Sequence, residues 1–498
     1  MAETSGRGSL LSQAGPLLLG RGGVALLSFS LPLALTRLLP VAEYGTYKAL
    51  FLVVTTAYFI LQAGLAISLY YFVPQRPERA RVFFTHSLLG CALLGGLGAV
   101  AIFCGRGLIA QHFGSPDLFT HGVWMALLAF TMVATVPLEA QLMAEGNARG
   151  AALTGFCSEA VRVGASIVPL ALGLGLRGLL IANALHGLGR LCWCARALAQ
   201  RGGPEVDRAL LRIQLAYTMP FAAATLLEIP QKTFHQYAVG WAVSPAQFAI
   251  YMVGCFQIPI INLLYAPISD IVMVRLSASK RQREDGQQLF REANARLAAA
   301  FFPLTAGLFA AGALLVPALF THQYDESVPL FRIAILTIPF AALPLDSVLR
   351  ALGKTRYLFS LFFVKLALTI PAVLLGLRLG GMLGAIAAQS AIEAVIRLSM
   401  LERVRKELGT TWAALLPWQN LTQLGAAALV ACGPVWAISQ RHATDPRPWL
   451  ALCEAGALYL ATYLGALAIG PGSPILRLRR VLLGHTVPAE VMVATSPA

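Results

Sequence analysis

Charge is scarce in this chain: only 12% of its 498 residues are Asp, Glu, Lys or Arg, against 57% hydrophobic. No soluble core can hide that many apolar side chains, which excludes an ordinary globular domain and indicates a polytopic membrane protein. The usual catalytic signatures are also missing. There is no Walker loop, no zinc-ligand spacing, no GxSxG elbow and no acid-rich loop between apolar stretches. Nothing calls for a cofactor or a metal, and the chain does not read as an enzyme. Cysteines number eight and all fall in apolar runs. The closest pair, Cys192 and Cys194, brackets Trp193, a spacing that suits neither CxxC redox chemistry nor a zinc knuckle, so the cysteines read as small buried hydrophobes. No cleavable leader is legible, and the first apolar stretch, Gly15 to Leu39, reads as a signal anchor.

What charge there is leans basic, with 38 Lys and Arg against 23 Asp and Glu. The bases do not form one patch but punctuate the apolar segments, so anionic lipid headgroups rather than nucleic acid are the expected partners. Crossing about 30 Å of hydrocarbon takes roughly 20 residues. Fourteen stretches qualify, centred near residues 27, 60, 95, 130, 162, 187, 226, 260, 305, 338, 367, 392, 428 and 459. Their connecting loops alternate between one side with 24 Lys and Arg and another with five, namely Lys48, Arg177, Arg378, Arg441 and Arg447. Positive charge marks the cytoplasmic side, which puts both termini there.

An internal repeat organises the chain. PLEAQLMAEGNAR, Pro137 to Arg149, recurs as PLDSVLRALGKTR, Pro344 to Arg356, with six of thirteen positions identical and Glu139 answered by Asp346. In each copy a helix should run into a turn built on Gly146 or Gly353, leaving Glu139 and Asp346 about two helical turns inside the membrane. A second pair, VAEYGTY from Val41 and PAQFAIY from Pro245, lies 204 residues apart rather than 207. Spans 1 to 6 and 7 to 12 are therefore read as copies of the same orientation, a parallel repeat suited to alternating access. The fold class expected is all-α and polytopic, with about 14 transmembrane helices: two parallel-repeat six-helix bundles around a central cavity, plus an extra C-terminal helix pair. The corresponding divisions are residues 1–210, 211–410, 411–470 and a cytoplasmic tail, 471–498. Residues 199–210 read as a linker between bundles and 277–290 as a solvated amphipathic segment.

Ionisable residues inside spans cost about 2.5 to 3.5 kcal/mol each at the bilayer centre unless they meet a partner or a cavity. Arg37, Arg106 and Arg332 near outer ends and Arg190 near an inner end read as snorkelling side chains. Glu393 with Arg397, and Asp346 with Arg350, are four apart on one helix and read as self-neutralising pairs. Deeper lie Arg162, Lys232 and Lys365, with Glu159 and Glu228 each one turn from the first two, and Arg21 sits nearer the inner surface. Pro220 and Pro230 in the span of Lys232 predict a bent or broken helix. Together these bases suggest a cationic cavity, a site for an anion such as a phosphate, against the plainer reading of scattered interhelical ion pairs. Gln62, Asn183, Gln257, Asn262 and Gln389 either line that cavity or make interhelical hydrogen bonds.

The YGTY turn after span 1, the PLEAQLMAEGNAR and PLDSVLRALGKTR turns after spans 4 and 10, and the two six-helix halves resemble polysaccharide-export flippases. These belong to the multidrug, oligosaccharidyl-lipid and polysaccharide exporter superfamily, and the resemblance covers residues 10 to 410. It implies flipping of a polyprenyl-diphosphate-linked oligosaccharide from the inner to the outer leaflet of a bacterial inner membrane, during cell-surface polysaccharide synthesis. It also implies a diphosphate held by central bases, for which Arg21, Arg162, Lys232 and Lys365 are the candidates by position. Glu139, Asp346, Glu228 and Glu159 are the candidate ion-coupling acids. Expected partners are the lipid-linked oligosaccharide, membrane lipids, and the glycan polymerase or glycosyltransferases of the same pathway. Competing readings are a multidrug or small-molecule exporter of the same superfamily, expected to place carboxylates rather than bases at its centre; a membrane glycan polymerase or ligase, disfavoured by the short outer loops; and a scaffold without transport.

Overall fold

The computed structural model describes residues 6–279, 281–442 and 448–469, with side chains from Gly22 onward except that of Gln282. The side chain of Arg21 and the expected tail, 471–498, lie outside the described residues. All regular structure among the described residues is helical. That follows from the composition, since backbone groups in hydrocarbon have no water to bond and must satisfy one another.

In chain order the helices are α1 (Gly6–Leu38), α2 (Val41–Leu61), α3 (Leu65–Gln75), α4 (Ala80–His112), the single turn α5 (Asp117–Thr120), α6 (Gly122–Ala134), α7 (Pro137–Ala144), α8 (Ala148–Ala171) and α9 (Gly175–Gln200). There follow α10 (Arg208–Ala242), α11 (Pro245–Gly254), α12 (Pro259–Ala278), α13 (Gln282–Phe320), α14 (Ser327–Ile335), α15 (Leu345–Ala351) and α16 (Thr355–Leu408). Last come α17 (Trp412–Leu415), α18 (Trp418–Arg441) and α19 (Pro448–Ile469). Eleven segments of this series are long and apolar enough to cross a membrane. One of them, α16, holds two crossings in its 54 residues, because Gly380 and Gly381 leave helical geometry in its middle, Gly381 at φ 56°. With α1 and α9, of 33 and 26 residues, helices occupy all fourteen expected positions. The chain is an all-α polytopic membrane protein.

Of the bent or broken helix expected at Pro220 and Pro230, the break is absent: helix α10 runs continuously through both prolines. Most of the 277–290 stretch forms the start of α13, which begins at Gln282 and continues for 39 residues, about 58 Å at 1.5 Å per residue; there Arg283, Glu284, Asp285 and Gln288 are exposed while Gly286 and Phe290 are buried, an amphipathic start to the helix. Its first turns are tied down by Gln287 and Arg291, which both donate to the Ala414 carbonyl, at 3.3 and 2.8 Å. In the 199–210 stretch, Glu205 pairs with both Arg79 and Arg81. There Asp207 caps α10 by accepting from the Ala209 and Leu210 N–H groups, which hold its carboxyl below the usual range. Of the cysteines, only Cys91 and Cys194 are buried; Cys104, Cys157, Cys192 and Cys453 sit on exposed helix faces, and all eight are free thiols.

By packing, the chain forms two compact units, Met1–Pro259 with Phe359–Ile392, and Ile260–Leu358 with Glu393–Ala498. In the first, α1 lies along α8, α4 along α6, and α2 against α11. Phe72, Phe83, Phe84 and Leu138 knit α3, α4 and α7, with the Phe72 and Phe83 rings stacked at 4.8 Å. In the second, α18 and α19 pack on α13 through small residues, Ala310, Ala427, Ala428, Ala431 and Ala455, which let the backbones approach closely. The Tyr459 hydroxyl completes that seam by donating to the Pro303 carbonyl at 2.8 Å.

Candidate functional site

The two long motif copies place their acids alike. Gly146 (φ 80°) and Gly353 (φ 71°) take the left-handed conformation that ends each motif helix, which a side chain would resist. Seven residues earlier, Glu139 and Asp346 stand in the first turns of α7 and α15. Both acids have an arginine partner. Glu139 pairs with Arg190 of α9 at 2.8 Å, and Asp346 with Arg397 of α16 at 3.1 Å.

Arg190 and Arg397 are themselves 207 residues apart, the same offset as Glu139 and Asp346. A third position follows the rule: Tyr58 lies in electrostatic reach of Glu139 and Arg190, and Tyr265 in reach of Asp346 and Arg397. The repeat thus carries a tyrosine, an acid and an arginine in each copy. The offset of 204 at the shorter motif gives way to 207 because the second copy interrupts its helix at 255–258, between α11 and α12, where the first copy continues in α2.

The copies differ in their surroundings. Arg190 also donates to Thr135 Oγ1 at 3.2 Å and to Ser158 Oγ at 2.5 Å, and Ser158 lies 3.2 Å from the His186 ring. Arg397 donates from Nε to Glu393 at 2.9 Å, the expected pair four residues apart on one helix. His186 and Glu393 are equivalent positions, as are Ser158 and Lys365. The snorkelling role expected of Arg190 is overturned by its ion pair, and the partner expected for Asp346, Arg350, is replaced by Arg397. Each arginine leaves its partly enclosed carboxylate with a counter-charge that it would otherwise lack.

A second network lies one helix turn away on α8. Arg162 grips Glu159 through Nε at 2.8 Å and Nη2 at 2.5 Å, and Ser28 of α1 donates to the same carboxylate at 2.5 Å. His186 is within electrostatic reach of Arg190, Arg162 and Glu159. On α10, Lys232 pairs with Glu228 at 2.5 Å, with both side chains more than half exposed. Arg162 and Lys232 each carry an acid of their own helix, so neither adds net charge, and the surplus of positive charge expected from the four bases shrinks accordingly. Lys365 is half-buried on α16. Asn183 and Gln389 take the plainer of their two readings: Asn183 donates to Ser166 at 3.0 Å, and Gln389 to the Gln231 carbonyl at 3.3 Å. Arg106 lies over the Phe103 and Phe119 rings, and Arg332 over Trp436 and Phe309.

Sequence reasoning missed Tyr58, His186, Arg190, Tyr265 and Arg397 as members of one pattern. The signal was present: adding 207 to Arg190 lands on Arg397, just as it carries Glu139 to Asp346.

A family profile described as "Polysaccharide biosynthesis protein" matches residues 34–329, more than half of the chain. The chain belongs to that family. Among solved structures, the lipid II flippase MurJ in an inward closed conformation is similar at a TM-score of 0.70 and 12% identity, covering 94% of this chain and 99% of that one. A mutant form of the Vibrio cholerae MATE transporter VcmN is similar at 0.55 and 17%, covering 81% and 97%. A MOP superfamily transporter from Pyrococcus furiosus, described by the reverse polarity of its binding pocket, is similar at 0.55 and 16%, covering 80% and 95%. No curated protein matches the chain by sequence. At these identities the likeness establishes a shared fold, that of flippases and MATE-type transporters.

Proposed function

We propose that this member of the polysaccharide biosynthesis family is a flippase that moves a polyprenyl-diphosphate-linked oligosaccharide from the inner to the outer leaflet by alternating access. The observation that carries the reading is the family match over residues 34–329, on a chain whose fold is shared with a lipid II flippase along nearly its whole length. The two halves of the repeat, 1–210 and 211–410, rock about a central cavity, with 411–470 as the added helix pair. Arg21, Arg162, Lys232 and Lys365 bind the diphosphate. Arrival of the anion draws Arg162 and Lys232 away from Glu159 and Glu228, and those acids, with Glu139 and Asp346, are then free to take up a coupling ion. The protein sits in the bacterial inner membrane with both termini cytoplasmic, supplied by glycosyltransferases and feeding a glycan polymerase.

The test is translocation of a lipid-linked oligosaccharide by the purified protein in proteoliposomes. The Arg162→Ala, Lys365→Ala double variant should lose at least tenfold in rate; full activity would sink the assignment of these bases. The likeness to MATE transporters supports a second reading, export of a small molecule. Transport of small organic cations with no translocation of any lipid-linked sugar would favour it.

A further inference from the structure

Helix α19 carries a single charged residue, Glu454, in its 22 residues. The side chain is exposed and makes no hydrogen bond or ion pair among the described residues. At 1.5 Å per residue it stands about 9 Å from Pro448 and about 22 Å from Ile469, in a helix about 33 Å long that just spans the hydrocarbon. Trp449, also exposed, marks the headgroup level at the near end, and Glu454 lies about 7.5 Å deeper. The acids of the networks described above each have a base beside them. Glu454 meets only lipid, where an ionisable group is costly unless something covers it.

The helix fixes which way this group faces. Ala451, Ala455, Tyr459 and Tyr463, four residues apart, are the buried stripe that packs on α13 and α18. Cys453, Ala457, Ala461 and Gly465 repeat that spacing two residues later, which at about 100° per residue turns them to the opposite side, and all four are exposed. Glu454 is on the same side, about 20° around the helix from Ala461. Small residues again allow a close approach, and the space beside Gly465 is open.

The chemistry of the carboxyl group indicates what covers it. This face of α19 holds no base, but two carboxyl groups that share a proton satisfy one another as donor and acceptor. A face of small residues around one such group is complementary to itself under a two-fold axis. We infer that two copies of the chain associate in the membrane through this face of α19, their Glu454 side chains hydrogen-bonded to one another across the interface. Cys453 of one copy then lies beside Cys453 of the other. Because α19 lies outside the repeated part of the sequence, this association stands or falls apart from the transport reading.

The test is energy transfer between copies of the purified full chain labelled at the N-terminus with donor or acceptor dye, in phosphatidylethanolamine and phosphatidylglycerol vesicles, as lipid is added. Glu454→Leu, whose side chain suits hydrocarbon and leaves the fold undisturbed, should dissociate at least tenfold more readily than the wild type. Glu454→Gln, an amide that both donates and accepts, should keep most of the association, and Ala461→Leu should weaken it by holding the helices apart. Oxidation with copper phenanthroline should link wild-type copies, and Cys453→Ser should abolish the link. A wild type that stays monomeric overturns the inference and leaves the face to a helix of another protein. A dimer that Glu454→Leu leaves unchanged, or one linked only through another cysteine, overturns it as well.

Discussion

Glu139 and Arg190 lie 51 residues apart in sequence, as do Asp346 and Arg397, and no rule of helix spacing relates them. Removing one member leaves its partner charged and largely enclosed, whereas removing both leaves only an apolar contact. Glu139→Gln is therefore expected to destabilise the protein by about 2 kcal/mol, a value below that of a fully buried pair because the side chains are 19% and 27% exposed. The Glu139→Leu, Arg190→Leu double variant should recover most of the loss, as read from thermal unfolding in detergent. Glu145 offers a pH test just beyond the end of α7. Burial pushes its carboxyl up, but two hydrogen bonds from Arg201 and one from Gln141 outweigh that and hold it below the usual range. A depressed carboxyl contributes stability that is fully present above its unfolded value and is lost as pH falls through its folded value. Stability should fall less steeply below pH 4.5 in Glu145→Gln than in the wild type, and equal slopes would refute this account of Glu145.

Helix α2 and helix α11 carry the two copies of the shorter motif and pack directly on one another. At Gly45 the contact is so close that an added Cβ would stand 1.8 Å from the Pro245 carbonyl oxygen. Since the atoms that Cβ would meet belong to the Pro245 backbone, a side chain at residue 45 can be accommodated only by moving α2 away from α11. Gly45→Ala should cost about 1 to 3 kcal/mol, measurable as a lowered melting temperature. At the other end of the chain α19 is held on α13 by one hydrogen bond and a seam of alanines. Tyr459→Phe should remove about 1 kcal/mol while leaving the helix in place. The break at 255–258 falls where the first copy is still helical, and the offset changes from 204 to 207 across it.

Across the whole molecule, the loop charges assign sides to the membrane, with 24 bases against five. That assignment predicts that Asn147→Cys and Lys354→Cys, in a background without native cysteines, react with a membrane-impermeant maleimide only when the cytoplasmic face is opened. Gln247→Cys should react from the outside, and the reverse pattern would invert the orientation. Hydropathy, loop charge and the two repeats are local or purely sequential properties, so the helical class, the fourteen helix positions, the Gly146 and Gly353 turns and the same-helix pairs of Glu159 with Arg162 and Glu228 with Lys232 were all legible from the sequence by itself. Side-chain spacing along one helix follows from 3.6 residues per turn, so pairs within a helix need no knowledge of its neighbours. Tertiary structure alone decided that Arg190 pairs with Glu139, that Asp346 chooses Arg397 over Arg350, and that Ser158 meets both Arg190 and His186. Those outcomes depend on which faces of α7, α8, α9, α15 and α16 meet, and contacts between helices arise from packing that no single segment encodes.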